Sequence, residues 1–180
     1  GIVEGTIFHY FPSKKALLEK VIEDFYAEIT VQLNEGIAGI TGVKNQLYFI
    51  IHFHLKTLQS NPNLCSVILL ESRAINNPIQ ENVRAFNRTY TSMFRQIIKR
   101  GIQRGEFKPD LSPILVQSMV YGSIESLMWA AFSGEKEIAL PEAAQQLTDM
   151  LYLGIAIQNN SDDEVQTLIK QLNGLLARKS

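Results

Sequence analysis

His52 and His54 are the residues of this sequence that come closest to a metal-binding pair. Residues two positions apart on a helix point about 200° away from each other, so the two imidazoles cannot hold one ion together. One of them could line a pocket while the other contacts solvent. Cys65 is the single cysteine and lies in an apolar segment, which favours a buried, unreactive thiol. We therefore predict no metal site and no cofactor.

A run of carboxylates near the carboxyl end, Asp162, Asp163 and Glu164, could in principle support acid–base catalysis. It follows Ser161, and a serine with a glutamate three residues later forms a capping box. Negative charge stabilises the first turn of a helix, so we interpret the run as a helix start. No nucleophile–base pair, metal-ligand spacing or phosphate-binding loop is recognisable, and we predict that the chain is not an enzyme.

The amino end carries hydrogen-bonding side chains in a pattern suited to DNA. Val3, Ile7 and Phe11 recur every four residues and can face a core, while Thr6, His9 and Tyr10 point outward. Hydroxyl, imidazole and phenol groups on one short exposed face suit phosphates and base edges. Lys14 and Lys15 add local positive charge beside the first turn of the next helix. A buried helix start is the alternative interpretation of this aromatic run.

The same stretch resembles the end of the helix-turn-helix of the tetracycline-repressor family. Gly1 matches the turn glycine, Gly5 and Thr6 the paired Gly-Thr, Phe11 the closing core aromatic and Lys14 the phosphate-touching lysine. Two positions depart from the family: Phe8 stands where tyrosine is common, and Glu4 where the residue is often basic or small. The resemblance implies operator-DNA contacts, with a palindromic site for a dimer. The residues it implies are Thr6, Phe8, His9, Tyr10 and Lys14.

A helix-turn-helix needs two helices before its recognition helix is complete, and the sequence opens within that motif. We therefore expect some tens of residues to precede Gly1 in the native protein. Residues 1–17 are predicted to be the end of the DNA-binding head, and residues 18–180 a helical domain that binds an effector and dimerises. The predicted fold class is all-α.

Proline and glycine residues mark the ends of the predicted helices of the second domain, and apolar residues at three- and four-residue spacing mark their buried faces. Ser112 followed by Pro113 is typical of an N-cap and first turn. After a short first helix, seven more are predicted. They cover residues 13–34, 41–60, 63–76, 79–101, 112–132 and 141–157, with a last one from 161.

Four of these helices, from 13 to 101, have broad apolar faces that can enclose an effector cavity. The predicted pocket residues are Phe25, Phe53, Leu69, Arg73, Tyr90 and Phe94. Arg95, Lys99 and Arg104 form a basic edge, which is either a solvated face or the mouth for an anionic head group. The segments Glu71–Arg73, Gly101–Glu106 and Tyr121–Glu125 resemble the fatty-acid-degradation repressors within the family. That resemblance implies a small apolar effector, in particular a long-chain acyl-CoA.

Small side chains recur every four residues along the most apolar helix, where they allow another backbone to approach closely. They are Ser118, Gly122, Ser126 and Ala130. The family resemblance places the homodimer contact on the last two long helices, here 112–132 and 141–157. A helix of the same chain could occupy this groove instead.

Composition limits the function classes that remain. Seventeen Lys and Arg against eighteen Asp and Glu give a net charge of −1, so any DNA contact must be local. Polar residues interrupt the apolar stretch 114–132, which argues against a membrane span. The single cysteine favours a cytoplasmic location.

The sequence thus predicts a transcriptional regulator, in particular a repressor released from operator DNA by its effector. A helical enzyme or a partner-binding module without DNA binding are the alternatives.

Overall fold

The computed structural model describes residues 11–73, 79–133 and 139–157, which form helices without a β-sheet. This confirms the predicted all-α class. In chain order these helices are α1 (Lys14–Ile37), α2 (Val43–Ser60), α3 (Pro62–Arg73), α4 (Gln80–Tyr90), α5 (Ser92–Gln103), α6 (Pro113–Phe132) and α7 (Leu140–Ile155). The predicted short first helix and the helix from residue 161 lie outside the described residues. None of the described helices is long and apolar enough to cross a bilayer.

Serine side chains fix the starts of the two longest helices. The Ser13 hydroxyl accepts a hydrogen bond of 3.1 Å from the Ala16 amide at the start of α1. The Ser112 hydroxyl accepts from the Leu115 amide, and Pro113 occupies the first turn of α6 as the sequence predicts. Each cap satisfies an amide that would otherwise lack an intrahelical partner.

The end of α5 explains the glycines of the segment Gly101–Glu106. Gly105 adopts φ +70, and the Glu106 amide bonds to the Gly101 carbonyl while the Gly105 amide bonds to the Ile102 carbonyl. This is a Schellman motif, which needs a left-handed residue after the helix. Gly101 itself packs against the buried ring of Phe107, which occupies the space that a Cβ would need.

The segment 79–101, predicted as one helix, is divided into α4 and α5 at Thr91. The Thr91 hydroxyl donates a 2.8 Å hydrogen bond to the Asn87 carbonyl, and its backbone lies at φ −80 and ψ −3. A threonine that bonds back to the preceding turn bends a helix. The prediction of one continuous helix is therefore wrong, because the apolar spacing continues across the bend.

Helix α2 lies at the centre of the fold and packs against α1, α3, α5, α6 and α7. Its residues Leu47, Ile50, Ile51 and Leu55 are almost inaccessible to solvent. A second, smaller core of Ile22, Ile68, Ile79 and Val83 joins α1, α3 and α4. Burying such side chains contributes roughly 1.5–3 kcal/mol each to stability. The space between the two cores is where the candidate site lies.

Candidate ligand cavity and subunit face

A cavity of about 110 Å³ lies between α1, α2, α3, α4 and α6. Three of the predicted pocket residues, Phe25, Leu69 and Tyr90, line it. Ile29, Leu58 and Ile68 complete most of its apolar wall. The structure thus brings together side chains from the four helices that were predicted to enclose a cavity, and α6 adds Tyr121 and Glu125.

The other predicted pocket residues lie near this cavity without bordering it. Phe53 lines a neighbouring cavity of about 240 Å³, which shares Phe25, Ile29 and Thr57 with the first. Phe94 is fully buried behind the wall, where its ring meets the Tyr121 ring edge to face with centroids 5.7 Å apart. Phe25, Ile29 and Thr57 therefore line both cavities, and Phe94 packs against Tyr121 behind the wall.

Arg73 lies at the edge of the cavity. Its guanidinium forms an ion pair of 2.7 Å with Glu125, which lines the cavity from α6. The side chain of Arg73 is 68% exposed and that of Glu125 18% exposed, so this pair spans from solvent to the cavity wall. Trp129 donates to the same carboxylate from one turn further along α6. The pair joins α3 to α6 at the surface.

The polar part of the wall centres on His54, Tyr90 and Tyr121, which come from α2, α4 and α6. His54 Nδ1 and the Tyr90 hydroxyl lie 3.1 Å apart, and the His54 and Tyr121 rings have centroids 4.7 Å apart. Burial lowers the pKa of His54 to about 4, so its imidazole is neutral at physiological pH. Burial also raises the pKa of both phenols, which remain protonated. The wall offers neutral hydrogen-bonding groups here rather than charge.

Sequence reasoning found this polar wall only in part. It expected one of the two histidines to line a pocket, and His54 does so while the half-buried His52 stacks on Tyr48. It did not find Tyr26 or Tyr121 as lining residues. Tyr121 lies within the segment Tyr121–Glu125 that carries the finer resemblance, which was the only available signal.

Cys65 also lines the cavity and is buried. Burial raises the pKa of its thiol to about 11, so the thiol stays protonated and weakly nucleophilic at neutral pH. Among the residues that the structure describes, no group of three His, Cys, Asp or Glu side chains is arranged to hold a metal ion. The chemistry of this site is therefore that of apolar and hydrogen-bonding contact.

The basic edge on α5 does not border either cavity. Arg95 donates 2.6 Å to the Gln117 side-chain oxygen and 3.2 Å to the Arg88 carbonyl, which ties α5 to α4 and α6. Lys99 and Arg104 are exposed further along α5. No residue of α5 lines the cavity. Arg73 is a cationic side chain beside the wall of the first cavity, and Lys56 lines the neighbouring one.

A wide groove of about 900 Å³ runs along α6 and α7 on another face. Ser118, Gly122 and Ser126 line it, whereas Ala130 is half-buried at the end of the same row. Nothing in the described part of the chain lies within 4 Å of the position that a Gly122 Cβ would take. Met119 and Met150 are each more than 60% exposed on these two helices. The described residues leave this apolar face uncovered.

The predicted DNA-contacting residues lie at the start of the chain. Thr6, Phe8, His9 and Tyr10 lie outside the described residues, and their assignment stays a prediction. Lys14 is the first residue of α1, directly after its Ser13 cap, and is exposed. Helix α1 runs from this point to the cavity, where it contributes Phe25. One helix therefore connects the predicted DNA-binding end with the cavity.

Comparison with known proteins agrees with this geometry. Residues 22–154 match a family model of the TetR carboxy-terminal type, described as the C-terminal region of YsiA-like proteins. The fatty acid metabolism regulator protein of Bacillus subtilis is 25% identical over 155 residues, which cover 86% of this chain and 80% of that protein. The transcriptional repressor KstR2 of Mycolicibacterium smegmatis is 23% identical, with 87% and 74% covered.

Solved structures show the same fold. The transcriptional regulator FadR from Bacillus subtilis, crystallised in complex with stearoyl-CoA, superposes with a TM-score of 0.76 at 25% identity. The match covers 86% of this chain and 83% of that one. The arrangement of helices around the cavity is therefore one that a ligand-binding transcriptional regulator uses.

Proposed function

Because this chain belongs to the TetR family of transcriptional regulators, we propose that it is a cytoplasmic repressor whose helical domain binds a long-chain acyl-CoA and then releases operator DNA. The observation that carries this proposal is the position of α1, which begins at Lys14 and lines the cavity through Phe25 and Ile29. A relative named as a fatty acid metabolism regulator and a FadR structure holding stearoyl-CoA support the choice of effector.

The small size of the cavity suggests how ligand binding would release the operator DNA. Ligand pockets in proteins commonly measure roughly 300–1,000 Å³, and the cavity of about 110 Å³ is smaller than that. A long acyl chain would have to displace the wall and reach the neighbouring cavity of about 240 Å³. Phe25 and Ile29 line both spaces, so the ligand would move residues of α1. The bound and unbound positions of α1 would then differ at its DNA-binding end.

Such a displacement regulates only if the ligand binds the DNA-incompetent state more tightly. A tenfold difference in affinity corresponds to about 1.4 kcal/mol of coupling free energy. Burial of about two additional methylene groups in one state supplies that amount, at about 0.8 kcal/mol for each. An acyl chain therefore offers enough apolar surface to drive release.

Operator binding would use the amino end of each subunit. Thr6, His9 and Tyr10 would approach the base edges and phosphates, with Phe8 packing nearby and Lys14 meeting a phosphate. The lysine is exposed beside the first turn of α1, where free amides favour anions. A palindromic operator would match two such heads in a twofold dimer.

The dimer would form through α6 and α7. Their exposed apolar side chains and the groove beside Gly122 suit the same face of a second copy, in the manner of a four-helix bundle. Small residues at Ser118, Gly122 and Ser126 would let the two α6 helices approach closely. This contact would set the distance between the two DNA-binding heads.

A combined binding experiment tests the proposal on the full-length protein. We expect a palindromic site upstream of its own gene to bind in a salt-dependent manner, and stearoyl-CoA to bind by calorimetry while free CoA does not. The matched control for DNA binding is Lys14→Ala, which should lower the salt dependence by about one counterion and leave calorimetric ligand binding unchanged. Absence of salt-dependent operator binding would contradict the repressor assignment. Absence of stearoyl-CoA binding would contradict the effector assignment.

A further inference from the structure

The hydroxyl of Tyr121 is an unpaired polar group in the wall of the cavity. The Tyr121 ring lines the cavity, its hydroxyl is enclosed by protein, and that hydroxyl has no hydrogen-bond partner among the described residues. A buried polar group without a partner destabilises a fold, and such groups are rare in native proteins. A phenylalanine at this position would fill the same space without that cost. The phenol therefore calls for a partner that is absent from the described chain.

The groups that surround Tyr121 already have partners of their own. His54 lies against its ring from α2, but His54 Nδ1 is within hydrogen-bonding distance of the Tyr90 hydroxyl. Arg95 is the nearby cation on α5, and its guanidinium donates to Gln117 and to a backbone carbonyl. Phe94 packs edge to face against the other side of the ring. The Tyr121 phenol is thus a donor without a partner among the described residues, in the polar part of the cavity wall.

The charges of the lining residues determine which kind of ligand group the cavity favours. The cavity is lined by neutral phenols, a neutral imidazole and one carboxylate, that of Glu125. A ligand carboxylate would lose its hydration and face no cation in the lining, because the nearby Arg73 already pairs with Glu125. A carbonyl oxygen carries no net charge and can accept a hydrogen bond from a phenol. The wall therefore favours a neutral acceptor over an anion.

The position of Tyr121 along α6 places this acceptor near one end of the cavity. Glu125 follows one helical turn later, about 6 Å along the axis, and pairs with the exposed Arg73. An acceptor at Tyr121 would therefore lie about one helical turn inside the surface edge, and the apolar wall around Ile29 and Leu69 would remain for an alkyl chain. A fatty acyl thioester has this distribution, with one carbonyl between a long alkyl chain and a polar carrier.

We propose that the Tyr121 hydroxyl donates a hydrogen bond to the thioester carbonyl of the effector and so makes the cavity select acyl thioesters over ligands without a carbonyl, while the lining without a cation disfavours free fatty acids. This inference rests on the proposed function, since it concerns the same cavity and the same ligand class. Tyr121 determines specificity in this account, whereas the apolar wall provides most of the affinity.

The test compares three ligands that share an 18-carbon chain: stearoyl-CoA, its thioether analogue S-octadecyl-CoA, and stearate. Calorimetry on the full-length wild-type protein should show stearoyl-CoA binding about three- to tenfold more tightly than the thioether, the fold-change that one neutral hydrogen bond supplies. Stearate should bind more weakly than both CoA ligands. In Tyr121→Phe, the preference for the thioester over the thioether should vanish, through weaker thioester binding and unchanged thioether binding.

Tyr48→Phe is the matched control, because Tyr48 is a phenol of α2 that stacks on His52 outside the cavity lining, so the variant should keep the wild-type preference. Without ligand, Tyr121→Phe should melt at or above the wild-type temperature, since it loses an unpaired hydroxyl. Equal binding of the thioester and the thioether to the wild-type protein would overturn the inference. A preference for the thioester that survives in Tyr121→Phe would also overturn it. Either result would leave the acyl-CoA proposal unaffected. Failure of both CoA ligands to bind overturns the proposed effector itself.

Discussion

Replacing His54 with glutamine is expected to remove much of the acid sensitivity of this fold. Burial holds the pKa of the folded imidazole at about 4, against an ordinary value of 6.5. The unfolded chain therefore binds more protons than the folded chain between these two pH values. The contribution to stability is complete above pH 6.5 and is lost as the pH falls toward 4.

The size of this contribution follows from the two pKa values. At about 1.4 kcal/mol for each pH unit, the full difference is on the order of 3 kcal/mol. Between pH 7.5 and pH 5, the wild-type free energy of unfolding should fall by about 2 kcal/mol from His54 alone. A small domain has roughly 5–15 kcal/mol of stability in total, so this loss is readily measured.

Urea unfolding at pH 7.5, 6 and 5 provides the assay. His54→Gln should be less stable than wild type at pH 7.5, because the Tyr90 hydroxyl loses its imidazole partner. The two proteins should approach the same stability as the pH falls. His52→Gln is the control, since it removes an imidazole that stacks on Tyr48 and leaves His54 in place. A His54→Gln variant that keeps the full wild-type pH dependence would show that the His54 imidazole is not its source and that this group is hydrated and protonates freely in the folded chain.

Two further substitutions test the packing and the subunit face. Gly101→Ala should lower the free energy of unfolding by about 1–3 kcal/mol, because its Cβ would lie less than 3.0 Å from the buried Phe107 ring. The control is Gly154→Ala, whose Cβ meets nothing within 4 Å and which should be neutral or stabilising by up to about 1 kcal/mol in the same denaturant assay. Equal losses in both variants would contradict the packing explanation. Gly122→Leu should weaken dimerisation by about 1–3 kcal/mol in sedimentation experiments while each subunit stays folded, because the larger side chain would overfill the groove. A folded variant that dimerises like wild type would exclude this groove as the subunit contact.

The helices were largely predictable from sequence because their signals are local. Ser13, Ser112 and Pro113 act within one turn of their own helix, and the apolar spacing that marks a buried face is a property of one segment. The division at Thr91 was missed for the same reason. Its apolar neighbours keep helical spacing on both sides, and the bend depends on one hydroxyl bonding backwards.

The candidate site was less predictable, because it is made by contacts between distant segments. Phe25 and Leu69 could be proposed from apolar faces alone, and both line the cavity. The placement of Tyr121 against His54 joins residues 67 positions apart, which no local pattern indicates. Phe94 carries the same apolar signal as a pocket residue but lies behind the wall, since hydrophobicity does not distinguish a buried support from a lining side chain.

Coupling between ligand and operator can be measured by fluorescence anisotropy of a labelled operator bound to the full-length protein, titrated with stearoyl-CoA and with free CoA. We predict that stearoyl-CoA at tens of micromolar or below weakens operator binding at least tenfold, about 1.4 kcal/mol of coupling, while free CoA has no effect. Operator binding that stays unchanged when stearoyl-CoA is shown by calorimetry to be bound would contradict it, because the cavity and the DNA-binding end would then not be coupled through α1.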